Sequence, residues 1–150
     1  MTTFFLAGII QGSLTDTIHE QDYRERLKAA IGRVMPGAEV YCPIEHHPQS
    51  LAFPDDHARS VFFDLMHRAA QAEVLIAYLP EASMGTAIEM WNAFHAGRVV
   101  LAVTRMTANW VIKFLSDRIF ESVEALEVFL AAGGLDELLA QKVPRRGETK

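Results

Sequence analysis

Short apolar runs alternate with segments of helical periodicity along the chain, and this alternation constrains the fold more than any other feature. The clearest run is residues 73–79 (EVLIAYL), which is continuously apolar and β-branched near its start. Such a run is typical of a central parallel strand covered on both faces. Residues 3–10 (TFFLAGII), 39–41, 99–103 and 118–120 supply four further predicted strands. The pattern therefore predicts a five-stranded sheet.

Helical patterns lie between these runs. They are predicted over residues 19–34, 55–71, 84–95, 107–115 and 123–132, with a last amphipathic turn after the Gly133-Gly134 pair. Right-handed crossovers between parallel strands place such helices on both faces of one sheet. Five strands favour the flavodoxin-like order 2-1-3-4-5 of a doubly wound α/β fold. We expect a single domain over residues 1–150, with a loose tail over 143–150.

The stretch 42–56 (CPIEHHPQSLAFPDD) stands apart from these patterns. It is polar and holds three prolines, so it predicts a long loop over one edge of the sheet. The helix that follows is expected to turn four side chains inward, namely Val61, Phe62, Leu65 and Ala69.

Composition excludes several classes of partner. The formal net charge is -5 and Lys and Arg form no stripe, so neither a nucleic acid polymer nor an anionic membrane is expected. No apolar run approaches the length of a membrane span, and no charged-then-apolar pattern near the start predicts a signal peptide. The single cysteine, Cys42, cannot form an internal disulfide, which favours a reducing, cytoplasmic location.

The predicted strand order creates a crevice beyond the carboxyl ends of strands one and three. Residues 8–13 and 80–89 would converge there. In the first of these loops, Gly8 and Gly12 would let a ligand approach the backbone, and Gln11 adds a donor. The alternative is a glycine-assisted turn at the end of a strand, since the loop matches neither a dinucleotide fingerprint nor a P-loop.

The second loop opens a helix. Ser83 is a natural N-cap, and Gly85 leaves space for a ligand in the first turn. Glu89 follows one turn later on the same side, where the positive end of the helix favours its carboxylate. The apolar face of this helix is predicted to consist of Ala87, Met90, Trp91 and Phe94. Glu89 points away from that face, so a solvated surface glutamate is the alternative.

Other polar side chains carry weaker signals. Asp64 lies within an apolar helical stretch, and it either faces water or lines the crevice as an acid for a leaving group. The adjacent His46 and His47 have no metal-ligand spacing around them, so no metal is expected there. No organic cofactor is expected either.

The two loops together resemble the nucleoside 2-deoxyribosyltransferase family. The resemblance rests on FLAGIIQGS near the start and AEVLIAYLPEASMGTAIEMWNAFHAGRVV later, and it extends over residues 3–129. The chain is also similar to relatives of this family that hydrolyse deoxynucleoside monophosphates. The specific part is the Ser83-x-Gly85-x-x-x-Glu89 spacing. The resemblance implies an enzyme that acts on the N-glycosidic bond of a nucleoside or nucleotide.

The resemblance also implies roles for the catalytic residues. Glu89 would attack the anomeric carbon in a retaining double displacement, and Asp64 would assist protonation of the leaving base. Water as the acceptor would give hydrolysis, and a nucleobase would give transfer. The alternative is a flavodoxin-like domain that binds a nucleotide without cleaving it.

The substrate-binding residues follow from the same resemblance. Ser83 and Gly85 would hold the 5′ group or a 5′-phosphate of the sugar, and a neighbouring subunit would complete the site. The opposite wall would consist of Gly8, Gln11 and Gly12. Asn109, or with weaker support Ser116, is the residue expected from that neighbour, so the resemblance implies a homodimer or a higher homo-oligomer.

Overall fold

The computed structural model describes residues 1–10 and 21–142. The strands are β1 (Thr3–Gly8), β2 (Glu39–Tyr41), β3 (Val74–Tyr78), β4 (Val99–Val103) and β5 (Arg118–Phe120). The helices are α1 (Asp22–Val34), α2 (Pro43–His46), α3 (Asp55–Gln71), α4 (Met84–His95), α5 (Trp110–Leu115), α6 (Val123–Ala131) and α7 (Gly134–Gln141). The predictions for Gln11, Gly12 and the tail 143–150 lie outside the described residues.

The five strands form one parallel sheet in the order β2-β1-β3-β4-β5, which confirms the predicted flavodoxin-like topology. Strands β1 and β3 are central and adjacent, with Phe4 opposite Val74 and Gly8 opposite Tyr78. The first connection runs from β1 to β2 at one edge of the sheet. The second connection returns past β1 and leads to β3 on its other side. The direction of winding therefore changes between β1 and β3, and their carboxyl ends open a crevice.

Alternate strand residues feed two separate hydrophobic layers. Phe4 and Leu6 pack on one face of the sheet, against α1, α6 and α7. Phe5 and Ala7 pack on the other face, against α3, α4 and α5. Because β1 and β3 are covered on both sides, they carry the continuous apolar runs seen in the sequence.

Local side-chain chemistry sets the ends of several helices. Ser83, Asn109 and Ser122 each accept a hydrogen bond from a backbone N–H in the first turn of α4, α5 and α6 respectively. Gly97 follows α4 with a φ of 71°, a conformation that L side chains rarely adopt. Asn109 explains why α5 begins at Trp110 rather than at residue 107 as predicted.

The structure corrects the prediction of a long loop over residues 42–56. This stretch contains the short helix α2 and a 3₁₀ turn over Ser50–Ala52 before α3 begins. Pro43 occupies the first position of α2, where its missing N–H costs no helical hydrogen bond. A proline in this stretch therefore starts a helix, whereas the sequence pattern predicts a loop from these prolines.

The inward face of α3 also differs from the prediction. Ala69 is buried and Leu65 is partly buried as expected, but Phe62 is exposed and Met66 takes a buried position instead. The final turn predicted after Gly133-Gly134 is a two-turn helix, α7, whose Leu135 is buried. Within residues 1–10 and 21–142, no helix is long and apolar enough to cross a membrane.

Candidate functional site

The crevice opens where β1 and β3 end side by side at Gly8 and Tyr78. Helix α4 begins six residues beyond Tyr78, so its first turns lie at this carboxyl edge of the sheet. Helix α1 approaches the same edge from the other face. The structure thus brings the ends of two strands and the starts of two helices to one place.

Glu89 is buried on α4, with only 8% of its surface exposed. The alternative of a solvated surface glutamate is therefore excluded. The predicted apolar face of α4 was wrong for two residues, because Trp91 and Phe94 are 53% and 42% exposed. The buried face consists of Thr86, Glu89, Met90 and Ala93.

Burial dominates the electrostatics of Glu89. Loss of hydration raises the pKa of this carboxyl from its ordinary 4.5 to about 8, and the positive charge of Arg24 opposes that rise. A carboxyl whose pKa is raised into the neutral pH range is a common feature of catalytic sites.

Arg24 is buried at the start of α1 and supplies the positive charge near Glu89. Its Nη1 donates to the carbonyl oxygen of Leu6 at 2.7 Å and lies 3.7 Å from Sγ of Cys42, while its Nε donates to Oε1 of Gln21. The oxygens of Leu6 and Gln21 are neutral acceptors, and within the described chain Nη2 has no hydrogen-bond partner. The guanidinium is therefore held in place by these contacts, and its charge acts on Glu89 through space.

Tyr23, beside Arg24, places its hydroxyl group at the end of β1. Its ring stacks on Tyr78 with centroids 4.0 Å apart. A Cβ atom on Gly8 would overlap Oη of Tyr23 and lie 3.2 Å from the carbonyl oxygen of Tyr78. Gly8 is thus required for the close approach of Tyr23. The sequence alone indicated only a turn or the approach of a ligand at this position.

The first turn of α4 combines a cap with open space. Oγ of Ser83 accepts a hydrogen bond from the backbone N–H of Thr86 at 3.3 Å. A Cβ atom on Gly85 would meet nothing within 4 Å. The start of α4 therefore leaves room for a group to approach its unpaired N–H groups, which favour an anion.

A cavity of about 240 Å³ lies between α4 and α5. Ser83 and Asn109 of the same chain both line it. Oδ1 of Asn109 accepts hydrogen bonds from the backbone N–H groups of Val111 and Ile112, so its acceptor is used in capping α5. Its Nδ2 amide keeps the donors that could reach another molecule.

Asp64 lies on α3 with 46% of its side chain exposed. Its Oδ2 accepts a hydrogen bond from Nε of Arg68 at 2.7 Å, and the Arg68 guanidinium lies 4.6 Å from the centre of the Tyr41 ring. These contacts place Asp64 on the β2 side of α3, and its catalytic role stays a prediction. Within residues 1–10 and 21–142, no group of three or more His, Cys, Asp or Glu side chains is placed to hold a metal ion.

Sequence reasoning assigned no role in the site to Tyr23 or Arg24. The helical pattern over residues 19–34 includes Tyr23, but no local feature of the sequence shows that its hydroxyl lies at the crevice. A signal for Arg24 was present, because it precedes the buried Leu27 and Ile31 by three and seven residues and so shares their helix face. A charged side chain in such a position needs a buried partner.

Comparisons with known proteins agree with the topology. No protein-family model and no curated protein matches the chain. A solved structure of 2-deoxyribosyltransferase from Bacillus psychrosaccharolyticus is similar with a TM-score of 0.63 at 16% identity, covering 84% of this chain and 90% of that chain. A conserved protein from Enterococcus faecalis V583 is similar with a TM-score of 0.63 at 20% identity, covering 89% and 99%. At these identities the likeness shows the fold.

Proposed function

We propose that this protein cleaves or transfers the N-glycosidic bond of a nucleoside or a nucleoside 5′-monophosphate, with Glu89 as the nucleophile. The observation that carries the proposal is the burial of Glu89, one turn beyond the open space at Gly85, at the crevice between β1 and β3. A carboxylate in a largely dry site loses the water that would otherwise weaken its attack. The shared fold with a 2-deoxyribosyltransferase supports the same chemistry.

The reaction is a double displacement with retention of configuration. An oxygen of the Glu89 carboxylate forms a bond to the anomeric carbon as the bond from that carbon to the base nitrogen breaks. The electron pair of the broken bond leaves with the base, which takes up a proton. Water, or a second base, then attacks the anomeric carbon, gives its proton to the Asp64 carboxylate that the first step left behind, and releases the Glu89 carboxylate. Hydrolysis and transfer differ only in this acceptor.

The proton for the departing base comes from Asp64 in this proposal, as the sequence resemblance implies. Because its carboxylate is ion-paired with Arg68, Asp64 must leave this partner and take up a proton from water before it can protonate the departing base. The ion pair is half exposed, and such pairs contribute at most about 1 kcal/mol, so breaking it costs little free energy.

Ser83 and Gly85 bind the 5′ end of the sugar in this proposal. The hydroxyl of Ser83 still has a hydrogen to donate while its oxygen caps α4. The unpaired N–H groups and the dipole of the 12-residue helix α4 favour a 5′-phosphate at the same place. Gly8 lines the opposite wall, together with Gln11 and Gly12 from the sequence prediction.

A second copy of this chain completes the site in this proposal. Large apolar side chains that are 42–85% exposed lie on three neighbouring helices, namely Phe63, Met84, Ile88, Trp91, Phe94, Trp110 and Phe114. We call this set the apolar surface. A large side chain presents about 200 Å² when it is fully exposed, so the partly exposed side chains of the apolar surface together present roughly 800 Å². This is the area that each partner buries in a standard interface. Asn109 borders the apolar surface beside Trp110, so its amide can reach the partner.

The test is a chromatographic assay for free base released from a panel of nucleosides and nucleoside 5′-monophosphates, with and without a second base. Release without an acceptor identifies a hydrolase, and a new nucleoside formed only with an acceptor identifies a transferase. Release that depends on the 5′-phosphate supports the role of the α4 start. Nucleotide binding without any release would contradict the proposal and favour a binding domain that does not cleave its ligand.

The matched control replaces a glutamate elsewhere. Glu137 lies exposed on α7, against the opposite face of the sheet. Glu137→Gln makes the same chemical change as Glu89→Gln at a distance from the crevice, and it should release base as the unchanged protein does.

A further inference from the structure

We propose that Tyr23 is a positioning residue for Glu89, and that its phenolic O–H donates a hydrogen bond to the ionised Glu89 carboxylate. The inference rests on the proposed function only in giving Glu89 its chemical task. The proposed contact is supported by the burial of the Tyr23 hydroxyl and by its place at the end of β1, beside the crevice that holds Glu89.

The hydroxyl of Tyr23 is held in a place where only a few partners can reach it. Its Oη is buried and has no hydrogen-bond partner within the described chain. Stacking on Tyr78 fixes the ring, and the missing side chain at Gly8 gives the oxygen its space. A buried hydroxyl without a partner is costly, so such a group is retained where a partner forms in another state of the site.

Glu89 is the buried carboxyl that α4 brings to the same end of the sheet. Burial raises the pKa of Tyr23 far above its ordinary 10, the charge of Arg24 opposes that rise, and Cys42, Glu89 and Tyr78 add smaller contributions to it. The phenol therefore keeps its proton at any physiological pH and acts only as a donor towards a carboxylate. A hydrogen bond from Tyr23 to the protonated Glu89 carboxyl would be weak. Ionisation of Glu89 supplies the strong acceptor that the hydroxyl lacks.

The other ionisable groups lie on α4 itself and on the elements around it, with His95 against Trp91 on α4 and Cys42 beside Arg24. Strands β1 and β4 carry none, β3 ends in Tyr78, and Lys113 on α5 lies 5.8 Å from the centre of the Phe114 ring. Arg24 on α1 is the cation that acts on Glu89. Helix α3 carries Asp55, Asp56, His57, Arg59, Asp64, His67 and Arg68, of which Asp64 pairs with Arg68 and His67 contacts Gln71.

A bond from Tyr23 to the ionised carboxylate would lower the pKa of Glu89 below the value that burial and Arg24 set. Burial and Arg24 alone bring it to about 8, in an arrangement where Oη of Tyr23 has no partner among residues 1–10 and 21–142. A nucleophile must be ionised, so a lower value places more of the protein in its reactive form at neutral pH. Tyr23 then acts on the reaction through Glu89 and not by touching the substrate.

The experiment measures the pKa of Glu89 by carbon-detected NMR of ¹³C-labelled carboxyl groups in the ligand-free protein, with Glu89→Gln identifying the resonance. The variant is Tyr23→Phe, which keeps the ring and its stacking on Tyr78. We expect the pKa of Glu89 to rise in Tyr23→Phe by about one unit, as loss of a hydrogen bond to a charged group implies. The acid limb of the kcat/KM profile should move to higher pH by the same amount.

Tyr41→Phe is the matched control. Tyr41 is also a stacked tyrosine, with its ring 5.6 Å from that of Phe5, and Arg68 is its charged neighbour. This variant should leave the pKa of Glu89 unchanged. An unchanged pKa in Tyr23→Phe would overturn the inference. Since the titration needs no turnover, it decides the role of Tyr23 even where the base-release assay contradicts the proposed function.

Discussion

Arg24 and Glu89 come from helices on opposite faces of the sheet, yet the charge of Arg24 acts on the buried carboxyl of Glu89. Arg24 reaches the edge of the sheet from α1, where Leu6 and Cys42 hold its guanidinium. Glu89 reaches the same edge from α4. A buried cation near a buried acid reduces the cost of ionising the acid, so Arg24 on α1 limits the rise in the pKa of Glu89 that burial on α4 causes.

Glu89→Gln is expected to abolish turnover while the fold is kept. The amide is isosteric with the carboxyl but cannot form the ester with the anomeric carbon, so kcat should fall by at least about a thousandfold. Base release by chromatography measures the rate, and calorimetric titration with a nucleotide measures binding, which should persist. Near-normal turnover in Glu89→Gln would refute the mechanism.

The same residue should make the free energy of unfolding depend on pH. The folded pKa of Glu89 is raised to about 8, whereas the unfolded chain titrates near 4.5, so between these values the folded protein holds a proton that the unfolded chain has lost. The contribution of Glu89 is therefore fully present below pH 4.5 and declines as the pH rises towards 8, by up to about 1.4 kcal/mol per pH unit.

Glu89→Gln removes this decline, because the amide does not titrate. Urea unfolding at pH 5.5 and at pH 8 should show the variant gaining stability relative to the unchanged protein as the pH rises. Glu137→Gln, on the exposed face of α7, provides the comparison and should show no such gain. Parallel pH profiles for Glu89→Gln and the unchanged protein would mean that Glu89 is hydrated in solution.

The topology could be predicted because it depends on local features. Continuous apolar runs identify buried parallel strands, and the end residues Ser83 and Gly97 set the bounds of α4 at the predicted positions. The burial of Glu89 could not be predicted in the same way. Apolar periodicity placed Trp91 and Phe94 inward, but the sequence cannot distinguish an apolar face that packs on its own sheet from one that is left exposed.

The part of the site on α1 could not be predicted for a different reason. Arg24 acts on Glu89, and Glu89 acts on Tyr23, between helices on opposite faces of the sheet and at a sequence distance of more than sixty residues. No local pattern records such a contact. The stacking of Tyr23 on Tyr78, and its approach to Gly8, depend on the register of β1 with β3.

Ser83→Ala should separate a structural role from a binding role. Loss of the cap on α4 should lower the free energy of unfolding by about 1 kcal/mol. If Ser83 also binds the 5′ end of the sugar, KM for a nucleoside 5′-monophosphate should rise by about tenfold.

Ser122→Ala is the matched control, since Oγ of Ser122 caps α6 through the backbone N–H of Ala125 at 3.1 Å. Thermal or urea unfolding should show a similar loss in both variants, while KM changes only for Ser83→Ala. Equal KM values in the two variants would confine Ser83 to its structural role.

Trp91→Lys should weaken self-association and, with it, activity. A lysine at the centre of the apolar surface places a charge where the second copy would pack, and burying an unpaired charge is costly. Sedimentation velocity should show a shift from dimer to monomer at micromolar concentration, together with loss of base release, since Asn109 would no longer reach a partner. Val128→Lys makes the same kind of change at an exposed apolar residue of α6, against the opposite face of the sheet, and should leave both readouts unchanged. A monomer that is fully active would contradict the shared site, because the exposed tryptophans would then have no partner in the working protein.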